Sequence, residues 1–323
     1  MDTSNIGVFK EDGVRVLVTG ANGFIGRALC SMLIGSGVAV NRCVRRASAS
    51  GDAFIVGDID GSTDWHRPLT GCDAVVHLAG RAHQLDDQAL DSMEEFRRVN
   101  VQGSLTLFAQ AAERGVKRFV YVSSIGVNGN QTTVPFTEAD APQPCEPYAM
   151  SKLEAEAGLK RLSAETGLEL VIIRPPLVYG LDAPGNFGRL VHWVRKGIPL
   201  PLGAIHNRRS MVSLGNLTDF IAVCLKKPAA ANQVFLVSDG QDISTTDLLK
   251  LVSRLVNRPV RLIPVPAAWL EAIIVALGER DTARRLFGDL QIDISKAREL
   301  LAWSPPWSID EGLSAAIGGC ERK

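Results

Sequence analysis

Short apolar runs alternate with longer segments of helical periodicity along the first half of the chain. Runs without polar alternation are typical of parallel strands that are covered on both faces. The predicted strands are residues 14–18, 38–44, 53–56, 74–78, 118–122 and 170–173, and the predicted helices between them are residues 24–35, 93–114 and 148–166. The pattern therefore predicts an α/β fold with a doubly wound parallel sheet.

After Arg174 the pattern loosens into loops rich in proline, followed by shorter elements. We expect a strand at 234–237, a helix at 244–256 that begins with a Ser-Thr-Thr-Asp cap, and a further element at 294–301. The apolar stretch 267–278 contains Glu271 and is too short to cross a bilayer. We predict a buried helix there, with a peripheral membrane contact as the alternative.

Composition and charge exclude several classes of protein. The chain has 323 residues, 46% of them apolar, which suffices for a large core with a second lobe. Its 35 basic and 35 acidic residues cancel, so no global field favours nucleic acid, and any phosphate binding must be local. The six cysteines form no CxxC pair, and no metal-ligand cluster emerges, so no metal is expected. Residues 1–13 resemble a loose leader rather than a signal peptide, which predicts a cytoplasmic protein.

A glycine-rich turn follows the first predicted strand directly and precedes the first predicted helix. Gly20 permits a sharp turn, Gly23 lets backbone N–H groups approach a pyrophosphate, and Gly26 lets the helix pack closely on the sheet. The positive end of the helix then faces the phosphates. In this context the turn predicts dinucleotide binding rather than a purely structural turn.

The end of the second strand indicates which dinucleotide is bound. An acidic residue at this point takes the ribose 2′-hydroxyl of NAD, but here the strand ends in Arg45 and Arg46 with no acid. Two guanidinium groups suit a 2′-phosphate, so NADP(H) is favoured and NAD(H) is the alternative. The alternative interpretation of the arginines is a solvated strand end, and Asp58, after the third strand, could lie beside the adenine.

Tyr148 and Lys152 are spaced to share one face of a helix, with side chains about 5–6 Å apart. Ionising a free tyrosine at neutral pH costs about 4 kcal/mol. A lysine charge roughly 5 Å away offsets about 3 kcal/mol of this cost at an effective dielectric near 20. Ser123 and Ser124 end the fifth strand at the ligand-binding edge of the sheet, where Ser124 could orient a reacting carbonyl. Together these residues predict proton transfer.

These motifs, in this order, resemble the extended short-chain dehydrogenase/reductases, over nearly the whole chain. The segments that carry the resemblance are Thr19-Gly20-x-x-Gly23-x-x-Gly26, His77-Leu78-Ala79-Gly80, Asn100-Val101, Ser123-Ser124 and Tyr148-x-x-x-Lys152. The resemblance implies a Rossmann domain over 14–174 and a smaller substrate-binding lobe over 175–323, some segments of which return to the first domain. It also implies a homodimer.

The resemblance further implies roles for individual residues. Ser124, Tyr148 and Lys152 would form the catalytic triad, with Lys152 also holding the nicotinamide ribose. The residues expected to contact the cofactor are Gly20, Gly23, Phe24, Ile25, Gly26, Arg45, Arg46, Asp58, Ile59, Leu78, Ala79, Gly80, Asn100, Ser123, Tyr148, Lys152 and Pro175.

Within this family the sequence is most similar to nucleotide-sugar 4-epimerases and 4-ketoreductases, through residues 174–180, Arg-Pro-Pro-Leu-Val-Tyr-Gly. The similarity implies that Asn186, Arg209 and Ser124 bind a UDP-sugar. We expect reduction of the C4 ketone of a UDP-4-keto-6-deoxy-N-acetylhexosamine (UDP-QuiNAc or UDP-FucNAc type) for surface polysaccharide synthesis, because a net reductase suits NADPH. The alternative is a UDP-GlcNAc or UDP-glucose 4-epimerase with tightly bound NAD. A non-catalytic cofactor sensor is a more distant possibility.

Overall fold

Two sheets organise the chain, in a computed structural model that describes residues 13–47, 53–82, 92–276, 278 and 280–318. The strands are β1 (Arg15–Thr19), β2 (Ala39–Val44), β3 (Phe54–Ile55), β4 (Ala74–His77), β5 (Arg118–Val122), β6 (Glu169–Arg174), β7 (Leu177–Tyr179), β8 (Arg209–Ser213), β9 (Gln233–Leu236) and β10 (Asp242–Ile243). Seven of them form the main sheet in the order β3-β2-β1-β4-β5-β6-β9, with every neighbouring pair parallel.

Helices cover both faces of the main sheet and build the second lobe. They are α1 (Phe24–Gly35), α2 (Ser92–Phe96), α3 (Gly103–Glu113), α4 (Pro147–Thr166), α5 (Asn186–Lys196), α6 (Leu214–Lys226), α7 (Thr245–Leu255), α8 (Ala267–Ala276), α9 (Arg280–Phe287), α10 (Ser295–Leu301) and α11 (Ile309–Gly318). This arrangement is the doubly wound Rossmann-like α/β fold that the sequence pattern predicts.

Successive residues of a strand point into two hydrophobic cores, which lie on opposite faces of the main sheet. Val16 and Val18 of β1 pack in the core with α1 and α6, whereas Leu17 points to the core with α3 and α4. The strand order reverses between β1 and β4, and Thr19 lies opposite His77 at the ends of these strands. A crevice outside such a switch point is where α/β sheets bind ligands.

The second lobe has a smaller sheet and a core of its own. In this sheet β8 pairs parallel with β7 and antiparallel with β10. Its core contains buried side chains from α5, α7 and α11, among them Val194, Leu249 and Leu313. The strand β9 lies far along the chain but pairs with β6 in the main sheet, so the chain crosses between the two parts of the molecule.

The element boundaries follow the sequence pattern with one informative difference. The single helix expected over 93–114 is divided into α2, a π-helical stretch at Arg97–Gln102, and α3. Gly103 lies at the start of α3, where a Cβ would come within 2.4 Å of a methyl carbon of Ile59. The expected cap of α7 is present, since Ser244 Oγ accepts a hydrogen bond from Asp247 N.

The prediction that residues 267–278 form a buried helix was wrong about burial. Helix α8 forms, but none of its residues is buried, and Trp269 and Ile273 are exposed. The apolar composition of the segment predicts a helix, but it does not reveal whether the rest of the chain buries that helix. Within the described residues, no helix is both long enough and apolar enough to cross a bilayer.

Candidate active site

A cavity of about 380 Å³ opens at the switch point of the main sheet. It is bounded by the loops that follow β1, β2, β3 and β4, because parallel strands bring their carboxyl ends to one edge. Of the predicted cofactor residues, it brings together Gly20, Arg45, Asp58, Ile59, Ala79 and Gly80. The neighbouring Arg46 is exposed and does not line the cavity.

The turn after β1 requires glycine at two of the predicted positions. Gly20 has a φ of +64°, and a Cβ there would lie 3.1 Å from Ala79 N. At Gly26 a Cβ would lie only 2.1 Å from the carbonyl oxygen of Gly20. Gly23 caps α1 without a side chain, which leaves the first-turn N–H groups of the helix open to an anion. A cradle of this shape fits the pyrophosphate of a dinucleotide.

Asp58 lies close to Arg45, one of the two arginines that were expected to select NADP. Arg45 Nη1 lies 3.5 Å from Asp58 Oδ1, and both side chains are exposed at the rim of the cavity. The second strand itself carries no acid, as the sequence shows, but the end of the third strand supplies one beside it. The two arginines therefore do not act as a pair.

Thr19 and His77 hold the loop after β4 in place, a role that the sequence analysis missed for both. Thr19 Oγ1 accepts hydrogen bonds from Leu78 N and Ala79 N, each at 3.1 Å, and contacts His77 Nδ1 at 2.7 Å. The other ring nitrogen of His77 lies 2.9 Å from Ser104 Oγ. Burial lowers the pKa of His77 to about 3, so the ring is neutral. A polar residue ending each of two adjacent strands is the signal that could have found the pair.

Asn100 joins the cavity wall to the helix that carries the predicted catalytic residues. Its Oδ1 accepts from Arg81 N at 2.8 Å, and its Nδ2 donates to Arg81 O and Ser151 Oγ, both at 3.0 Å. A Cβ on Gly80 would lie 3.0 Å from Asn100 Oδ1 and 3.6 Å from Lys152 Nζ. The cavity wall at Gly80 is therefore next to the predicted catalytic lysine.

Tyr148 and Lys152 lie on the first turns of α4, with Pro147 as its first residue. Lys152 Nζ is 5.9 Å from the centre of the Tyr148 ring and 4.5 Å from that of Tyr121, and it donates to Val122 O at 3.0 Å. The Tyr148 ring also meets Phe96 edge-on, at 6.2 Å between centroids. The helix spacing thus brings the predicted pair together as expected.

Burial governs the protonation of this pair. It raises the pKa of Tyr148 to about 12 and lowers the pKa of Lys152 to about 8, the latter against the opposing effect of Glu156. The expected stabilisation of the phenolate by Lys152 is therefore outweighed by desolvation in the protein alone. Tyr148 begins as a neutral phenol, which is the state required of a proton donor.

Glu156 lies one helical turn beyond Lys152 and was not singled out in the sequence. It is fully buried, and its Oε1 accepts from Ser123 Oγ at 2.6 Å and from Arg174 Nε at 2.9 Å. Its Oε2 accepts from Arg174 Nη2 at 2.5 Å. This ion pair ties α4 to the ends of β5 and β6. An acid four residues after the lysine, on the same helical face, is the signal that could have found it.

Ser124 lies in the loop after β5, against the first turn of α4. Its Oγ accepts from Gly126 N at 3.1 Å, which leaves its own proton free to be donated to a substrate. A Cβ on Gly126 would lie 3.3 Å from this Oγ and 3.2 Å from Ala149 Cβ, so the serine loop packs beside Tyr148. Pro175 O accepts from Ile125 N at 2.9 Å and joins the loops after β5 and β6.

The predicted substrate residues lie in the second lobe. Asn186 is the first residue of α5, and its side chain lies outside the described part of the structure. Arg209 begins β8, and its Nη1 donates to Gly288 O at 2.9 Å. The two parts of the molecule meet where a Cβ on Gly180 would lie 3.1 Å from the Phe24 ring.

No group of three or more potential metal ligands occurs among the residues that the structure describes. Cys320 lies outside the described residues, and the five other cysteines are free thiols. Four of these, Cys30, Cys43, Cys72 and Cys224, are buried.

A glycine-rich turn at the switch point, followed by a tyrosine and lysine on α4, is the arrangement of the extended short-chain dehydrogenase/reductases. The family model described as "NAD dependent epimerase/dehydratase family" matches residues 16–237. The chain belongs to this family, as the sequence motifs predict.

Two relatives and one solved structure refine the comparison. The chain is 44% identical over 304 residues to a UDP-glucose 4-epimerase of Vibrio cholerae, covering 92% of this chain and 93% of that protein. It is 30% identical over 316 residues to an N-acetyl-alpha-D-glucosaminyl-diphospho-ditrans,octacis-undecaprenol 4-epimerase of Escherichia coli O157:H7, covering 94% of each. Its fold matches a UDP-glucuronic acid 4-epimerase of Bacillus cereus solved with NAD, with a TM-score of 0.78, 22% identity and coverage of 96% and 99%.

The comparisons bear on the two enzymatic alternatives. They confirm an enzyme of the epimerase/dehydratase family, and they favour the 4-epimerase over the 4-ketoreductase that the sequence analysis placed first. They give no support to a preference for NADP over NAD.

Proposed function

We propose that this chain is a UDP-hexose or UDP-N-acetylhexosamine 4-epimerase with NAD as its resident cofactor. The observation that carries the proposal is the position of Tyr148 and Lys152 beside Gly80, where the dinucleotide cavity ends. The identity of the Vibrio cholerae relative favours epimerisation as the reaction.

The reaction needs one proton acceptor that can return its proton. NAD, when bound, supplies reversible acceptance of the C4 hydrogen as hydride. As the proton acceptor, Tyr148 must be a phenolate, which the charge of Lys152 and the positive nicotinamide ring of NAD would favour over the neutral phenol of the protein alone. The phenolate then takes the proton of the C4 hydroxyl. Ser124 donates a hydrogen bond to the C4 oxygen in both states. Tyr148 would return the proton to the C4 oxygen when C4 is reduced again on its opposite face, so no net oxidation would occur.

The charges at the cavity rim support NAD rather than NADP as the cofactor. A 2′-phosphate beside Arg45 would also stand beside the carboxylate of Asp58, which opposes it. A ribose hydroxyl can instead donate a hydrogen bond to such an acid. NAD is therefore the better match, and an epimerase has no need to exchange it between turnovers.

The test begins with identification of the nucleotide released when the purified protein is denatured. UDP-glucose and UDP-GlcNAc are then incubated with the native protein without added cofactor, and the C4 epimers are separated by chromatography. We expect released NAD and formation of the galacto epimers. Failure to form either epimer, together with NADPH oxidation on a UDP-4-keto-6-deoxy-N-acetylhexosamine, would establish the reductase instead.

A second candidate substrate is an N-acetylhexosamine carried on a polyprenyl diphosphate. The relative from Escherichia coli O157:H7 is named for such a substrate, and the exposed apolar helix α8 of this chain is the observation that favours it. Both substrates share the sugar and the diphosphate, so the same chemistry serves both. Parallel assays with the UDP-sugar and the lipid-linked sugar, compared by kcat/KM, distinguish them.

A further inference from the structure

Helix α8 presents apolar side chains to solvent on a scale that the rest of the fold does not explain. It carries a single charge, Glu271, and none of its residues is buried. Trp269 is 70% exposed and Ile273 is 58% exposed. Ala267 and Leu270 pack, partly buried, against the core of the second lobe, so the exposed face of the helix is the one that carries Trp269 and Ile273.

The apolar surface continues beyond α8 along one edge of the second lobe. Ile263 is exposed just before the helix, and Trp193 and Ile198 are exposed on and after α5. The two segments lie side by side, because Ile263 N donates to Leu200 O at 2.9 Å. We call these three exposed side chains, together with Trp269 and Ile273, the apolar edge.

Basic residues border the apolar edge. Arg195 and Lys196 end α5, Arg254 ends α7, and Arg258 and Arg261 lie in the loop before α8. All five are exposed, and none forms an ion pair within the described part of the chain. Because the whole chain has no net charge, this basic border is a local feature. Exposed tryptophan beside arginine and lysine is the composition of surfaces that bind anionic lipid headgroups.

We propose that the apolar edge docks this protein on an anionic membrane surface, with α8 lying in the plane of the interface. A second copy of the chain is the weaker occupant, since a two-fold contact would bring the two basic borders together. A helix of ten residues is too short to span a bilayer but long enough to lie on one.

Docking in this way would bring the chain that follows α8 close to the bilayer. This part of the chain contacts the predicted substrate residue Arg209 and the nearby Asn207: Arg209 Nη1 donates to Gly288 O, and Asn207 Nδ2 donates to Leu286 O, in α9, at 3.1 Å. The membrane contact does not depend on the proposed epimerase activity. It makes the lipid-linked substrate physically accessible if that activity is present.

The test is cosedimentation of the full chain with vesicles of phosphatidylcholine, with or without about 30 mol% phosphatidylglycerol. We expect binding to the anionic vesicles, weaker binding to the neutral ones, and loss of the difference in about 0.5 M NaCl. Replacing both Trp269→Ser and Ile273→Ser should weaken binding by about tenfold or more. A charge-reversal variant, Arg258→Glu with Arg261→Glu, should weaken binding to the anionic vesicles selectively.

The matched control is Ile34→Ser with Val134→Ser, two apolar side chains that are 53% and 68% exposed but lie outside the apolar edge. This control should bind vesicles like the unaltered protein. Melting curves and epimerase assays on soluble UDP-glucose separate loss of docking from loss of fold or of the proposed function. Absence of binding to anionic vesicles, or equal loss in the control, would overturn the proposal. So would a change from dimer to monomer in the Trp269→Ser, Ile273→Ser variant with vesicle binding intact.

Discussion

Replacing Glu156→Gln tests the buried ion pair that connects the predicted catalytic helix to the sheet. Glu156 is fully buried and Arg174 is 4% exposed in its side chain, with two hydrogen bonds between them. Glutamine keeps the shape but leaves the guanidinium without a counter-charge. Removing one partner of a buried pair costs about 3–5 kcal/mol. For a chain of this length, about 1.5 °C of melting temperature corresponds to each kcal/mol, so we expect a decrease of about 4–7 °C.

The same substitution should alter the pH dependence of activity, because Glu156 raises the pKa of Lys152 against the effect of burial. Without the carboxylate, the pKa of Lys152 falls further below its ordinary value. Lys152 then loses its proton at lower pH, and the alkaline decline of kcat/KM moves to lower pH. A change in melting temperature alone would not produce this shift.

Glu154→Gln is the matched control on the same helix. Glu154 is 37% exposed in its side chain and pairs with Arg97 at the surface, at 2.7 Å. An exposed pair of this kind contributes less than about 1 kcal/mol. Calorimetry and pH-rate profiles are measured on both variants. If Glu156→Gln melts within about 1 °C of the unaltered protein, or if Glu154→Gln loses as much, the account of the buried charge is refuted.

Three further predictions concern the site itself. Tyr148→Phe should lower kcat by roughly 10²–10⁴ with the bound nucleotide retained, measured by turnover and by absorbance of the released cofactor; unchanged turnover would remove Tyr148 from the chemistry. Because burial lowers the pKa of Lys152 to about 8, kcat/KM of the unaltered protein should decline with a midpoint near pH 8, as the lysine loses its proton and no longer favours the phenolate; a flat profile to pH 10 would contradict this. Gly26→Ala should abolish nucleotide binding, because the new Cβ would lie 2.1 Å from the Gly20 carbonyl oxygen, whereas Gly35→Ala on the same helix meets nothing within 4 Å and should bind normally.

Much of the main sheet was predictable from the sequence because its strands are buried on both faces. The apolar runs at residues 16–18 and 119–122 leave little alternative to a parallel core strand. The second lobe was harder to predict. Helix α5 follows a loop and begins without a side-chain cap, and β7 and β8 are short strands whose pairing depends on distant segments.

The local part of the site was also predictable, whereas its supporting contacts were not. Tyr148 and Lys152 are related by helix geometry, and the glycine turn by its place between strand and helix. The pairing of Glu156 with Arg174 joins residues 18 positions apart through the packing of α4 on β6. The contacts of His77 with Thr19 and Ser104 likewise depend on which strands are neighbours.

The position of Asp58 shows how a contact between neighbouring strands, which the sequence does not reveal, affected the functional prediction. In the sequence, β2 is followed by arginines and by no acid, and this pattern predicts NADP. In the sheet, β3 lies beside β2, with Val44 opposite Ile55, so the loop after β3 runs beside the end of β2. Asp58 therefore reaches Arg45 across the cavity rim and places a carboxylate near the end of the second strand. The preference for a net reductase depended on that missing acid. Because Asp58 lies close to Arg45 in the folded chain, the charges at the cavity rim suit NAD better than NADP. A retained NAD agrees with the epimerase relatives.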